Sequence, residues 1–290
     1  MKKIKAFILW LAQVFTIILI IILFGYVADR AIKKEAEEAL RSKAKIGVVE
    51  ISGVITGSLN YIKKLKKFFD DKSIVGVILR VDSPGGAVGP SQEIFNFIKT
   101  HKRKPVVASF GTLAASGGLY ASLGADKIVA QPGTLTGSIG VIIQIPNVSN
   151  LLNKFGVEMT TIKSGELKDV GNMFRPMSSS EVEFLKNAVS EIHNQFIDDI
   201  VSSRGLDREA VKAFADGRFL SGKEALAVGL VDQLGDIYVA AQQVLILANQ
   251  ENKEPVLVFP KDYTDIIEAF LRGVSNYVLR LLQAYSFESS

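Results

Sequence analysis

The chain has no cysteine, two histidines and eight prolines in 290 residues. Without Cys there is no disulfide, no thiol nucleophile and no Cys-ligated metal. His101 lies in the basic segment "THKRKP" and His193 in the helical stretch "EIHNQF". Their spacing matches no zinc-ligand pattern. Neither follows a strand end, where the sites of parallel α/β folds gather, so a Ser-His-Asp triad is not expected. The scarcity of Pro leaves no long linker to split the chain into independent domains. The formal net charge is only +4. Lys and Arg are dispersed, with no Arg-rich stripe interleaved with aromatics, so nucleic acid is not an expected partner.

What is present begins with a charge-free run at residues 6–28, "AFILWLAQVFTIILIIILFGYVA". As a helix it spans about 34 Å, enough to cross the hydrocarbon core of a bilayer. Lys2, Lys3 and Lys5 precede it. The run is long for a signal-peptide core, and "GYVADR" puts Tyr26 where a cleavage site wants a small residue. An uncleaved anchor is therefore expected. Arg30, Lys33 and Lys34 follow the span, so basic charge alone does not orient it. Four regions result: the tip and anchor at 1–28, a charged helical stalk at 29–43, a folded domain at 44–250 and a tail at 251–290. In the tail, Ile267, Phe270, Leu271, Val274, Tyr277, Val278, Leu281, Leu282 and Tyr285 recur at helical spacing. That apolar stripe has three candidate faces to cover it: its own domain, a partner subunit or the membrane surface.

Across residues 45–165 short apolar runs alternate with helical stretches. The runs "KIGVVEISGVI", "SIVGVILRVDSPGG", "PVVASF", "KIVAQPG", "SIGVII" and "VEMTTIKSG" read as strands. They are apolar on both faces, which predicts parallel pairing through crossover helices, an α/β fold. Residues 179–250 read as mostly helical. No internal repeat appears.

Ser116 stands in "GTLAASGGLY", between a buried strand and a helix start. It is either a nucleophile or a small residue where chains pack closely. A nucleophilic serine without histidine can use lysine as its base. That lysine must be neutral, and lowering a reference pKa of about 10.4 to near 8 costs roughly 3 kcal/mol. Apolar burial away from carboxylates supplies such a shift. The segment "TTIKSGELKDVGNMF" offers Lys163 and Lys168. The pattern alone leaves both open, and Asp169 beside Lys168 counts against it, because a carboxylate near the amine would hold its proton. An oxyanion hole needs backbone amides aimed at one spot. "VDSPGGAVG" offers Gly85 and Gly86, and Gly117 follows the serine. The spacing does not separate Gly85 from Gly86. No metal or nucleotide cofactor is required.

With these motifs in order, the chain resembles the signal peptide peptidase A family of membrane-anchored Ser-Lys peptidases. The segments that carry the resemblance are "RVDSPGGAVGPSQEI", "PVVASFGTLAASGGLYASLGADKIVAQPGTLTGSIGVI" and "SGELKDVGNMFRPMSSSE". It covers roughly residues 45–240 and corresponds to the short, single-domain form. It implies a ClpP- or crotonase-like spiral of ββα units. It implies Ser116 as nucleophile, Lys168 as general base, Ser138 of "LTGSIGV" as the residue orienting the lysine, and Gly85 or Gly86 with Gly117 as the oxyanion hole. It also implies an extracytoplasmic catalytic domain with a cytoplasmic N-terminus, a homo-oligomeric ring with sites at subunit junctions, and remnant signal peptides as substrates. Three rival readings stand beside it: a crotonase-type enzyme acting on acyl-CoA, a non-catalytic membrane scaffold and a stomatin-associated membrane protease.

Overall fold

The computed structural model describes residues 23–26, 30 and 42–260. The anchor at 6–28, the stalk at 29–43 and the apolar stripe at 264–286 lie almost wholly outside the described residues, and Lys43, expected to end the helical stalk, instead opens the first strand. Among the described residues no helix is long and apolar enough to cross a membrane.

Strands with apolar side chains on both faces must be covered on both faces, and the sheet here is. β1 (Lys43–Ser52), β2 (Ile74–Ser83) and β3 (Val106–Ala115) pair in parallel, with Gly47, Val77 and Val106 in register. The crossovers are α1 (Leu59–Asp70) and α2 (Val88–His101). On β2, Val77, Leu79 and Val81 enter the main core with Leu65 and Phe68 of α1 and Phe95 and Ile98 of α2. Ile78 points the other way, joining Val48 and Val107 in a second core. That second core is closed by Ala240, Ala241, Val244 and Leu245 of α8 (Ile237–Leu247). Each fully buried large side chain contributes about 1.5–3 kcal/mol, so the two-sided pattern fixes the layering.

β3 divides the sheet. Its first half, Val107–Ser109, pairs with β4 (Lys127–Ala130), and its second half, Leu113–Ala115, pairs with β5 (Leu135–Gly137). Between these halves β3 bulges, because Val81 and Ser83 of β2 match Phe110 and Ala114. The Asp82 carboxylate accepts the displaced amides of Thr112 and Leu113, at 3.4 and 3.1 Å. β3 ends in α3 (Gly117–Ser122). Farther along come α4 (Ser149–Lys154), a 3₁₀ turn at Glu166–Asp169, the long α5 (Ser179–Arg204) and α6 (Arg208–Lys212). β6 (Phe219–Ser221) then pairs antiparallel with β5, and β7 (Gln233–Leu234) follows α7 (Gly222–Ala227) to pair with β4.

Two expected strands are absent. "SIGVII" does not join the sheet, because β5 ends at Gly137, where its partner β3 gives way to α3. From Ile139 to Asn147 no backbone N–H or C=O is hydrogen-bonded among the described residues. "VEMTTIKSG" likewise forms no ladder, and its side chains are exposed. Its alternation suits a strand, but among the described residues no second strand lies alongside. A strand that the sequence reading did not assign, β8 (Glu254–Val258), pairs in parallel with β1 and carries the sheet past residue 250.

Candidate active site

Two parallel strands, β2 and β3, end side by side and turn into helices, so the amides of both turns face one place. After β2, the turn is held open by side-chain and backbone bonds. Ser83 Oγ donates to Gly53 O at 2.6 Å. The Gly85 amide donates to Ser83 Oγ at 3.1 Å, so it is occupied. Ile55 flanks the turn, with its amide on Gly85 O and its carbonyl accepting from Ala87, both at 2.8 Å. The Gly86 amide has no partner among the described residues. Gly85 has φ +102°, in the region that favours glycine, and a Cβ there would lie 2.6 Å from the Gly117 nitrogen and 2.8 Å from Ser116 Cβ.

Ser116 makes the second turn. Its φ of 51° and ψ of −120° are strained for a serine, and the strain presents the side chain between strand and helix. The turn is fastened at both ends: the Ser116 amide donates to Gly137 O at 2.8 Å, and its carbonyl accepts from Tyr120 at 2.9 Å. The Gly117 amide is the first of α3 and has no partner among the described residues. A Cβ on Gly117 would lie 3.2 Å from the Gly86 nitrogen, so the two unpaired amides are close neighbours at the serine. The cleft above Ser116 is walled by Val88, Tyr120, Val141, Ile192 and Phe196. Burial and the Asp199 carboxylate push the Tyr120 hydroxyl well above the usual phenol value, so it serves as a donor to Asp199 and not as a base.

Ser138 follows β5 just as Ser116 follows β3. Ala115 and Gly137 are in register, so the two serines are successive neighbours past the ladder. Ser138 also has a positive φ, 49°. Its amide is held by Arg218 O at 2.8 Å. Beyond it, Gly140 and Val141 pass from the Ser116 cleft into a larger cavity of about 780 Å³. That cavity is lined mainly by apolar groups, among them Ile142, Ile145, Val182, Leu185 and Val189. His193 lines it too, with its Nε2 buried and unpartnered, so it is not bonded to Ser116. His101 is exposed at the end of α2.

The two candidate lysines differ. Lys163 Nζ donates to Asp169 Oδ1 at 2.6 Å and to Glu166 O at 2.8 Å, so it is engaged. Lys168, in the 3₁₀ turn, is exposed; its backbone amide donates to Gly165 O at 3.1 Å, while its Nζ makes no hydrogen bond or ion pair among the described residues. It does not line the cleft over Ser116, and within one chain the two side chains are not hydrogen-bonded to each other. The whole excursion that carries it is unusual. Between residues 141 and 177 not one side chain is buried, and Ile142 and Ile162 are 80% and 96% exposed. No cluster of metal-ligating side chains occurs among the described residues.

A strained serine at a strand-to-helix turn beside two free amides is the local architecture of a serine hydrolase. Comparison with known proteins narrows the class to a serine peptidase. A model of peptidase family S49 matches residues 98–251. A putative protease of Synechocystis is 41% identical over 236 residues, covering 81% of this chain and 85% of the relative. A putative signal peptide peptidase SppA of Enterococcus faecium is 39% identical over 225 residues, 72% of this chain and 65% of the relative. Protease 4 of Haemophilus influenzae is 31% identical over 230 residues, 76% of this chain but 37% of the longer relative. The chain belongs to peptidase family S49, the signal peptide peptidase A family.

Proposed function

We propose that the protein is a membrane-anchored endopeptidase that cleaves membrane-associated peptides, remnant signal peptides among them, through a Ser116–Lys168 dyad. The observation that carries this reading is the pair of unpaired amides, Gly86 and Gly117, adjoining the strained Ser116. Neutral Lys168 takes the Ser116 hydroxyl proton as Oγ attacks the peptide carbonyl. The two amides receive the developing oxyanion. Lys168 then protonates the leaving amine, and water, deprotonated by Lys168, releases the acyl group from Ser116. Ser138, beside Ser116 at the next strand end, orients the lysine amine.

A peptide would lie along residues 139–147, whose backbone donors and acceptors are free to pair with an extended chain. The apolar cavity continuous with the cleft suits small and apolar side chains. The dyad is completed between copies in a homo-oligomeric ring. The exposed apolar excursion at 141–177 is the surface a neighbouring copy covers, and its covering desolvates the Lys168 amine. The division of β3 between two ladders supports a ClpP- or crotonase-like spiral. The run at 6–28 anchors the chain with its N-terminus cytoplasmic and the catalytic domain outside.

The test is turnover of an apolar peptide by detergent-solubilised full-length protein carrying Ser116→Ala or Lys168→Ala. Both variants fold and both lose cleavage. Full activity in Lys168→Ala removes the lysine assignment, and full activity in Ser116→Ala removes the peptidase mechanism.

A further inference from the structure

Lys168 is followed at once by a carboxylate, which is the wrong neighbour for an amine that has to give up its proton. The charged groups around the turn come from four elements. Glu166 and Asp169 lie on the turn itself, Lys163 on the segment before it, Arg175 on the loop after it and Glu181 on the first turn of α5. Asp169 does not face outward. Its Oδ1 accepts from Lys163 Nζ at 2.6 Å and lies 2.8 Å from Arg175 Nη2. Its Oδ2 accepts from Arg175 Nε at 3.0 Å and Asn172 Nδ2 at 3.3 Å. An ionised carboxylate has about four acceptor sites, so all are filled from the protein.

Arg175 is itself fixed from the other side. Its Nη1 donates to Glu181 Oε2 at 2.8 Å, and Glu181 is 2% exposed. The same Glu181 oxygen accepts the Ser178 amide at 2.8 Å, completing a capping box at the start of α5. Arg175 thus ties the Lys168 turn to the long helix while occupying both oxygens of Asp169. The Arg175 guanidinium and the Lys163 amine hold the Asp169 carboxyl far below the usual carboxylate range.

We infer that Arg175, assisted by Lys163, is a positioning residue that withdraws the Asp169 carboxylate from Lys168, so that the carboxylate next in the chain does not pair with the Lys168 amine. This rests on the reading of Lys168 as the general base. Removing Arg175 opens acceptor sites on Asp169, and the neighbouring ammonium fills them.

The experiment is the pH dependence of kcat/KM for peptide cleavage by the full-length oligomer. In Arg175→Met the acidic limb moves alkaline by about one pH unit, so that activity on that limb falls about tenfold. In Arg175→Met with Asp169→Asn the limb returns to its wild-type position, although the ion-pair network is still broken. Should Arg175→Met not fold because Glu181 is stranded, Lys163→Met opens one site on Asp169 from an exposed position and shifts the limb the same way by less. An unmoved limb in active clamp variants overturns the inference, as does a shift that Asp169→Asn fails to reverse. Those outcomes leave the dyad intact provided that Lys168→Ala is inactive. An active Lys168→Ala removes the dyad, and the clamp with it.

Discussion

Gly85→Ala tests the geometry of the proposed oxyanion site by crowding its groups without replacing any of them. A Cβ at Gly85 would lie 2.6 Å from the Gly117 nitrogen, 2.8 Å from Ser116 Cβ and 3.0 Å from Ala115 O. Ordinary contact begins near 3.4 Å, so the Gly117 amide and Ser116 must retreat by about 0.6–0.8 Å from the Gly85 turn. A displacement of about 1 Å at a reacting centre costs on the order of a hundredfold in rate. Loss of one oxyanion donor costs about 10²–10³ in kcat. The expected result is a fall in kcat of at least about a hundredfold, with a smaller change in KM. Stability falls as well. Alanine at φ +102° costs about 1–2 kcal/mol, or several degrees in Tm, which leaves the protein folded. The control is Gly205→Ala, at φ +65° with nothing within 4 Å of the added Cβ. It carries a similar backbone penalty and no contact with the site, so it lowers Tm and leaves kcat unchanged. Steady-state cleavage of a fluorogenic apolar peptide, with thermal unfolding of each variant, reads both effects. A folded Gly85→Ala protein with wild-type kcat would refute the placement of the Gly117 amide as oxyanion donor.

Other expectations follow from the same geometry. Glu181, held by the Arg175 guanidinium and the Ser178 amide, has its carboxyl lowered to about 2. A lowered carboxyl contributes stability above its unfolded value of about 4.3, lost as pH falls toward the folded value. Urea unfolding should therefore weaken between about pH 4.5 and 2, and Glu181→Gln should flatten that dependence; an unchanged slope contradicts the network. Phe110 is fully buried at the bulge of β3, and Phe110→Ala should cost about 3–5 kcal/mol by denaturant titration. Ile162→Asp changes a side chain that is 96% exposed in a single chain, so the domain should fold while sedimentation shows smaller assemblies and cleavage drops. Unaltered assembly would take this segment out of the subunit interface. Co-assembled Ser116→Ala and Lys168→Ala chains, each inactive alone, should regain cleavage, because each supplies the group the other lacks. Continued inactivity would place the dyad within one chain.

The sequence exposed the serine turn well, because "AASGG" after an apolar run leaves the chain few ways to pass from strand to helix. It also placed β1, β2 and β3, whose two-sided apolar character dictates parallel pairing. Its failures are long-range. The choice between Gly85 and Gly86 depends on Ser83 Oγ reaching back to one amide, which no spacing announces. By pattern alone Lys163 and Lys168 look alike and only the family resemblance favours Lys168; in the structure Asp169 pairs with Lys163 and not with Lys168. The bulge that Asp82 stabilises was likewise invisible, since its partners lie on the next strand. "SIGVII" and "VEMTTIKSG" have strand composition but, among the described residues, no strand beside them. "EPVLV" is not legible as a strand because its partner, β1, lies some two hundred residues earlier in the chain.

The most direct measurement is the site of covalent modification when the full-length protein reacts with a fluorophosphonate and is digested for mass spectrometry. The account predicts phosphonylation at Ser116, abolished in Ser116→Ala and strongly slowed in Lys168→Ala. Adduct on another residue, or labelling of Ser116 at an undiminished rate without Lys168, would contradict it.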